Sequence, residues 1–430
     1  MKVAYLTAGA GGMYCGSCLR DNALAAALIQ QGRDVVLIPV FTPIRTDEAD
    51  VSTAEVYYGG INVFLQQKSA FFRHAHRLLD KVLDSPSLLR LAMRRAGSSK
   101  PDELGELTAS ILRGPRGAQG RELEKLIDGL KPLRPDVVHL PDAFFVGAAR
   151  TIKEKLGATV VCTLTGEDIF IDKLAGPHRS EVLRLIREAG RDVDGYLVVS
   201  RYYADYAAEH FGIARERTTY VPLGIHLNDA ATRDERVRNA DDLFTIGYLA
   251  RICHDKGLHV LCDALEVLRG QGRACRVVAA GYLGASDRPY FEALRRDIER
   301  RGLQDYFQYL GEVDRTAKFD FLRSCDVFSV PSVYREAKGL YLLEALSQGV
   351  PAVQPRHGSF PEIIEATGGG LLFEPGNVAE LAASIARLMD EPALRKILGG
   401  EGRRRVQELH TAEIMADAAW KAMARFAGRG

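Results

Sequence analysis

Short apolar runs alternate with longer segments of helical periodicity along almost the whole chain. Residues 2–7 form the first run, the turn Gly9-Ala10-Gly11-Gly12 follows, and residues 19–31 carry helical spacing as far as Gly32. A second run occupies 34–40. Strand, turn, helix and strand in that order predict a parallel sheet, since parallel neighbours need a crossover rather than a hairpin. Runs at 134–139, 160–164 and 196–200 extend the pattern, and a helix is expected over 201–211. The alternation restarts with a strand at 244–250, a helix at 258–268 and a strand at 276–280. Residues 307–313 read as a strand and turn, 327–330 and 351–354 as buried strands, and 378–389, 392–409 and 411–426 as helices.

A chain of 430 residues is too long for one core, so two domains are expected. The polar tract 228–242 has the character of a linker and places the boundary near residue 225. Charge is balanced, 57 basic residues against 56 acidic, which gives no global attraction to nucleic acid. No run of eighteen apolar residues occurs, and Met1-Lys2 leads directly into a strand, so neither a membrane span nor a signal peptide is expected. Seven scattered cysteines suit a reducing cytoplasm better than a disulfide framework.

One segment departs from this balance. Residues 68–100 hold eight cations against Asp80 and Asp84, a net of six positive charges, with apolar residues interleaved at near-helical spacing. Such a segment suits peripheral contact with an anionic membrane or binding of an anionic acceptor, and a helix with a solvated basic face accounts for it equally. Residues 97–120, rich in Gly, Pro and Ser, read as a mobile loop.

The candidate chemistry concentrates in residues 331–375. A buried strand exits at Pro331-Ser332, a loop carries Glu336, and a helix starts near Gly339. A helix start offers unpaired N–H groups and partial positive charge, so a phosphate sits well on Gly339 and Leu340. Glu344 lies about five residues, or ~7.5 Å, farther along and is placed to hold a hydroxylated group attached to that phosphate. Glu336, outside the helix, is placed to face the ligand's other end. Ribose, diphosphate and sugar in a row have that shape; two solvated glutamates are the alternative that spacing alone leaves open.

Glu336-Ala-Lys-Gly-Leu-Tyr-Leu-Leu-Glu344, followed by Ala-Leu-Ser-Gln-Gly-Val-Pro-Ala-Val and Gly-Ser-Phe-Pro-Glu-Ile-Ile, resembles the E-x7-E segment of retaining glycosyltransferases of the GT-B fold, family four. The resemblance implies an α/β fold of two doubly wound Rossmann-like domains facing across a cleft. It implies an acceptor-side domain 1–225, completed by a returning helix 411–430 that Trp420 anchors by packing, and a nucleotide-sugar domain 226–410. Glu336 then contacts donor-sugar hydroxyls and Glu344 the ribose. Arg251 and Lys256, two cations on a strand-to-helix loop, match the family's phosphate-binding pair. Gly281 falls in the family's nucleotide-lining loop, and Val313 in the turn whose backbone faces the base. Gly11 and Gly12 lie where the family's loop approaches the diphosphate and the acceptor.

Departures from the pattern matter as much. The glycine turn is no dinucleotide fingerprint, since Tyr14 takes the place of the third glycine and the second strand ends without an acid. Thr165 stands where many family members have a histidine beside the transferred sugar, while Asp168 matches the acid that follows. Leu223 and His226 replace the usual Asn and Asp of the interdomain linker, and Pro141 replaces a histidine beyond the strand ending at His139. Cys15 and Cys18 form a C-x-x-C pair at a helix mouth, open to a redox role, a metal or plain loop packing. The implied activity is retaining transfer of a sugar from a nucleotide diphosphate sugar to an acceptor sugar, lipid or small metabolite. It proceeds by front-face attack, with no cofactor and with cations in place of a metal; no Asp-x-Asp is seen that would bind one. A nucleotide-sugar epimerase, a phosphorylase and a non-catalytic nucleotide-sugar-binding protein are the competing expectations.

Overall fold

The structure, a computed structural model, describes residues 1–9, 14–58, 101–227 and 243–429. Gly11 and Gly12, the basic segment 68–100 and the tract 228–242 lie outside the described residues. The chain's contacts gather it into two units, Met1–Leu223 with Ala412–Gly430, and Gly224–Thr411.

In the first unit, β1 (Lys2–Thr7), β2 (Asp34–Pro39), β3 (Val137–Leu140), β4 (Thr159–Leu164), β5 (Gly195–Val198) and β6 (Thr218–Tyr220) form one parallel sheet ordered β2-β1-β3-β4-β5-β6. Its central strands are buried on both faces, which is why they read as continuous apolar runs rather than alternating ones. Helix Gly16–Gln30 and the chain's last helix, Ala412–Phe426, cover one side and share a core with Tyr5, Leu37, Val137 and Leu197. Trp420 packs at the rim of that core, with the Arg33 guanidinium 4.8 Å above its ring.

Residues 97–120 are not one loop. Pro101–Leu112 is a helix, a short turn covers Gly114–Arg116, and the next helix starts at Gly120. Glycine and proline content misled because each residue serves the helix. Pro101 occupies the first helical position, where its missing N–H costs nothing. At Gly105 a Cβ would lie 2.7 Å from His178, so only glycine lets helix Gly176–Ala189 pack this close.

In the second unit, β7 (Phe244–Leu249), β8 (Cys275–Ala280), β9 (Phe307–Tyr309), β10 (Val327–Phe328), β11 (Ala352–Pro355) and β12 (Gly370–Phe373) run parallel in the order β12-β11-β10-β7-β8-β9. The chain steps outward from β7 to β9, then returns to the other side of β7 as β10. That reversal opens a crevice beyond the carboxyl ends of β7 and β10, the place where open parallel sheets hold ligands. Each unit is therefore a doubly wound, Rossmann-like sheet. Among the described residues no helix is long and apolar enough to cross a membrane.

Met423, fully buried between the last helix and the first sheet, tests how far that helix belongs to the first unit. Met423→Ala should cost about 2–5 kcal/mol, read as a lower urea midpoint for the first unit.

Candidate active site

The loop after β7 carries Arg251, exposed, and then a short turn His254–Lys256 closed by Gly257. Gly257 has φ +71° and would place a Cβ 1.9 Å from the Pro331 carbonyl oxygen, so glycine is required twice over. The Val333 amide donates to the Asp255 carbonyl at 3.0 Å. These contacts lace the loops after β7 and β10 together at the switch point, and they bring Lys256 against Glu336 across 80 residues of sequence.

Glu336 is 3% exposed and is held from every side. Its Oε2 accepts hydrogen bonds from Tyr334 (2.9 Å), from Tyr341 (3.0 Å) and from the Lys256 ammonium, which also donates to the Tyr334 hydroxyl at 2.6 Å. Oε1 receives the Lys338 amide at 3.3 Å. The Glu336 carbonyl accepts from the Ser359 amide at 2.7 Å, and Gly358, at φ +59°, crosses so near that a Cβ would lie 2.3 Å from the same oxygen. The Gly-Ser pair after β11 thus clamps the glutamate's backbone. Burial alone would raise the carboxyl pKa, but the charge and hydrogen bond of Lys256 prevail and lower it to about 2. Glu336 is a carboxylate at neutral pH.

Gly339, at φ +82°, turns the chain into helix Leu340–Ser347, whose start has no side-chain cap. The first intrahelical bonds run from Leu342 and Leu343 to the Gly339 carbonyl, so the amides before them have no partner within the helix. Glu344, 8% exposed, lies deeper in that helix and accepts from Lys318 Nζ at 2.6 Å. Gly281, at φ +138°, follows β8; its amide donates to the Gly311 carbonyl and a Cβ would lie 1.9 Å from Ala250 O. It is thus a close-packed hinge between loops. Val313 is half-buried just before Asp314, whose side chain caps helix Arg315–Ser324.

Thr165 and Asp168 lie beyond the carboxyl end of β4, in the first unit. Glu167 organises this turn: Oε2 accepts the Thr165 and Gly166 amides at 3.0 and 2.9 Å, and Oε1 the Ala143 amide at 3.2 Å. The Thr165 hydroxyl is 3.4 Å from that of Ser17. Asp168 is buried, and among the described residues its Oδ1 has no hydrogen-bond partner. Burial, with the nearby Glu167 charge, raises its pKa to about 6 against a hydrogen bond from Tyr203. His139 is fully buried and stacked on Tyr5, 3.7 Å between ring centroids, with its pKa driven well down by burial and by Arg20. It is a neutral core residue rather than one at an open strand end.

The profile of the family described as Glycosyl transferases group 1 matches residues 230–405, and that of Glycosyltransferase Family 4 matches 107–229. The chain belongs to the GT-B glycosyltransferases of the family-four type. It is 28% identical to the MMP alpha-(1->4)-mannosyltransferase of Mycolicibacterium hassiacum over 54% of each chain, so it spans about half the length of that curated relative. Sucrose-phosphate synthase from Thermosynechococcus elongatus superposes with a TM-score of 0.71 at 16% identity over the whole of both chains. HepE of Anabaena, solved with UDP-glucose, gives 0.68 at 16% identity over 99% of this chain and 100% of that one. At that identity the likeness establishes the fold alone.

Several features of this chain's candidate site were not evident in its sequence. Lys318 as the partner of Glu344 sits in another helix, and its only sequence signal is a lone lysine among apolar residues. Tyr334 and Tyr341 flank Glu336 closely enough in sequence to have been considered. Cys18 lies within the first turn of helix Gly16–Gln30, which begins three residues before the expected start. Its thiol is shifted up by the hydrogen bond it donates to Cys15 and by burial, opposite to the activation a helix start would give. Among the described residues no three His, Cys, Asp or Glu side chains converge as a metal site. One Asp-x-Asp does occur, Asp192-Val-Asp194, but it precedes β5 at the sheet's amino edge, and its acids pair with Arg150 and Lys153.

Two measurements follow from the electrostatics. Because the folded pKa of Glu336 is depressed, its stabilisation is present above pH ~4.5 and is lost as pH falls through ~2. Lys256→Gln removes the source of that shift and should cost about 3–5 kcal/mol at pH 7, with the gap to wild type narrowing below pH ~4.5 in urea titrations. Asp168 has the opposite sign: its raised folded pKa makes stability fall as pH rises from ~4 through ~6. Asp168→Asn should therefore be more stable than wild type by about 1–3 kcal/mol at pH 7.5 and lose that advantage by pH 4.

Proposed function

We propose that this chain transfers a sugar from a nucleoside diphosphate sugar to an acceptor hydroxyl, with retention at the anomeric carbon and without a metal ion. The observation that carries the reading is Glu336, pinned as a carboxylate by Lys256 beside the uncapped helix start at Gly339, at the switch point of the second sheet. The fold neighbour HepE was solved with UDP-glucose, which supports a donor of this class.

Arg251 and the amides at Gly339 and Leu340 stabilise the diphosphate as charge develops on it. Glu336 aligns the donor sugar by accepting from its hydroxyls, and Glu344, steadied by Lys318, accepts from the ribose. Lys256 acts first through Glu336 and, with its remaining N–H, on the phosphate. The bond from the anomeric carbon to the β-phosphate oxygen breaks with its electron pair leaving on the diphosphate. The acceptor oxygen bonds to the same face, and its proton passes to the departing phosphate oxygen. Positive side chains supply the charge compensation that a divalent ion supplies elsewhere, so no metal enters the scheme.

The test is release of nucleotide from a panel of UDP-, GDP- and ADP-sugars, with and without EDTA. One donor should be turned over at a rate EDTA leaves unchanged. Glu336→Ala and Arg251→Ala should each lower that rate by about 10²–10³. Near-wild-type turnover in Glu336→Ala defeats the assignment, and loss of turnover in EDTA defeats the metal-independent part alone.

A further inference from the structure

At the opposite edge of the first sheet from Thr165 and Asp168, a cavity of about 440 Å³ opens beside the amino ends of β3 and β4. Its charged lining is Lys131, Arg134, Lys155 and Arg429, with Asp136 as the one acid. Asp136 is fully engaged: it takes a two-pronged pair from Arg429, at 2.6 and 3.2 Å, and the Lys2 amide at 2.7 Å. Lys131 is paired with Asp128, outside the lining, at 2.9 Å. Arg134 and Lys155 remain, and neither forms an ion pair among the described residues.

Arg134 adds a second observation. It is the one non-glycine residue with positive φ among those described, at +46°, between the turn Lys131–Leu133 and Pro135. Glycine adopts that conformation most easily, so an arginine there carries a conformational cost that its own backbone does not require. Arg134 is among the residues that line the cavity. Gly157 at φ +66°, which ends helix Ala149–Leu156, and Lys155 line the same cavity. A surface lysine near a helix end is commonplace, because the helix dipole favours it. An arginine in a strained turn that shares a cavity lining with a lysine, neither ion-paired among the described residues, is not explained that way.

We propose that this cavity binds a phosphomonoester, at a site separate from the transfer chemistry. A phosphomonoester carries close to two negative charges near neutral pH, matching the two uncompensated cations, and Arg134 can grip two of its oxygens at once. The volume suits a phosphorylated monosaccharide, or the headgroup of a lipid ending in the same phosphate.

The experiment uses the full chain. Glucose 6-phosphate, with glucose as control, is titrated by calorimetry, and phosphatidylcholine vesicles with and without phosphatidic acid are tested by co-sedimentation. The expected result is binding of the sugar phosphate or of the phosphatidic-acid vesicles, but not of the uncharged controls. Arg134→Gly and Lys155→Gln should each weaken it about tenfold or more. Arg134→Gly relieves the strained backbone, so its melting temperature should equal or exceed wild type, which separates lost binding from lost folding. Binding of only one probe names the source of the phosphate. Failure of both probes to bind, or wild-type affinity in the two variants, overturns the proposal and leaves the transferase reading untouched.

Discussion

The second unit's site depends on burying the charge of Glu336. A buried carboxylate is costly, and the structure offsets that cost with an ammonium, two phenols and a backbone amide. These donors come from three separate segments of the chain. Lys256 comes from the loop after β7, Tyr334 and Lys338 from the loop after β10, and Tyr341 from the helix that follows. The pair therefore does more than fix a side chain: it joins two loops on either side of the switch point, where Gly257 and Val333 have already drawn the backbones together. Lose the charge on Lys256 and the loops lose their common centre.

The same logic explains which parts of the site were legible in the sequence. Glu336, Gly339 and Glu344 fall within one strand exit and one helix, so local spacing was enough to place them. The glycines at 257, 339 and 358 could be seen as turn formers, yet not what they let approach. Gly358 matters because it crosses Glu336, and Gly257 because it meets Pro331; both are contacts between distant segments. Lys318 was missed for the same reason. A lysine in an amphipathic helix looks solvated until the helix packs its Nζ against Glu344.

The fold was read well where apolar runs were long and poorly where composition substituted for periodicity. The β-α alternation of both units follows directly from such runs. Pro101–Leu112 was lost because Gly, Pro and Ser were counted as loop formers, when Gly105 is a packing residue and Pro101 a helix start. Of the readings the C-x-x-C pair left open, loop packing is the one that the burial of Cys18 favours. A helix start lowers a thiol pKa only for an exposed thiolate, and Cys18 is buried against Cys15.

The two units treat their carboxylates in opposite ways, and this bears on how pH can act on the chain. Glu336 stays ionised through the whole physiological range, because the charge and hydrogen bond of Lys256 hold its carboxyl pKa at about 2. Burial and the nearby Glu167 charge raise the Asp168 pKa to about 6, and among the described residues its Oδ1 has no hydrogen-bond partner. Asp142, buried beside Glu167, is pushed in the same direction, to about 7. Thr165, standing among these acids, brings no charge of its own. Between pH 5 and 7 the carboxyls of Asp142 and Asp168, at the carboxyl end of the first sheet, change charge, while Glu336 stays ionised. A carboxylate placed to bind through permanent charge needs a permanent counter-charge, and Lys256 supplies it to Glu336.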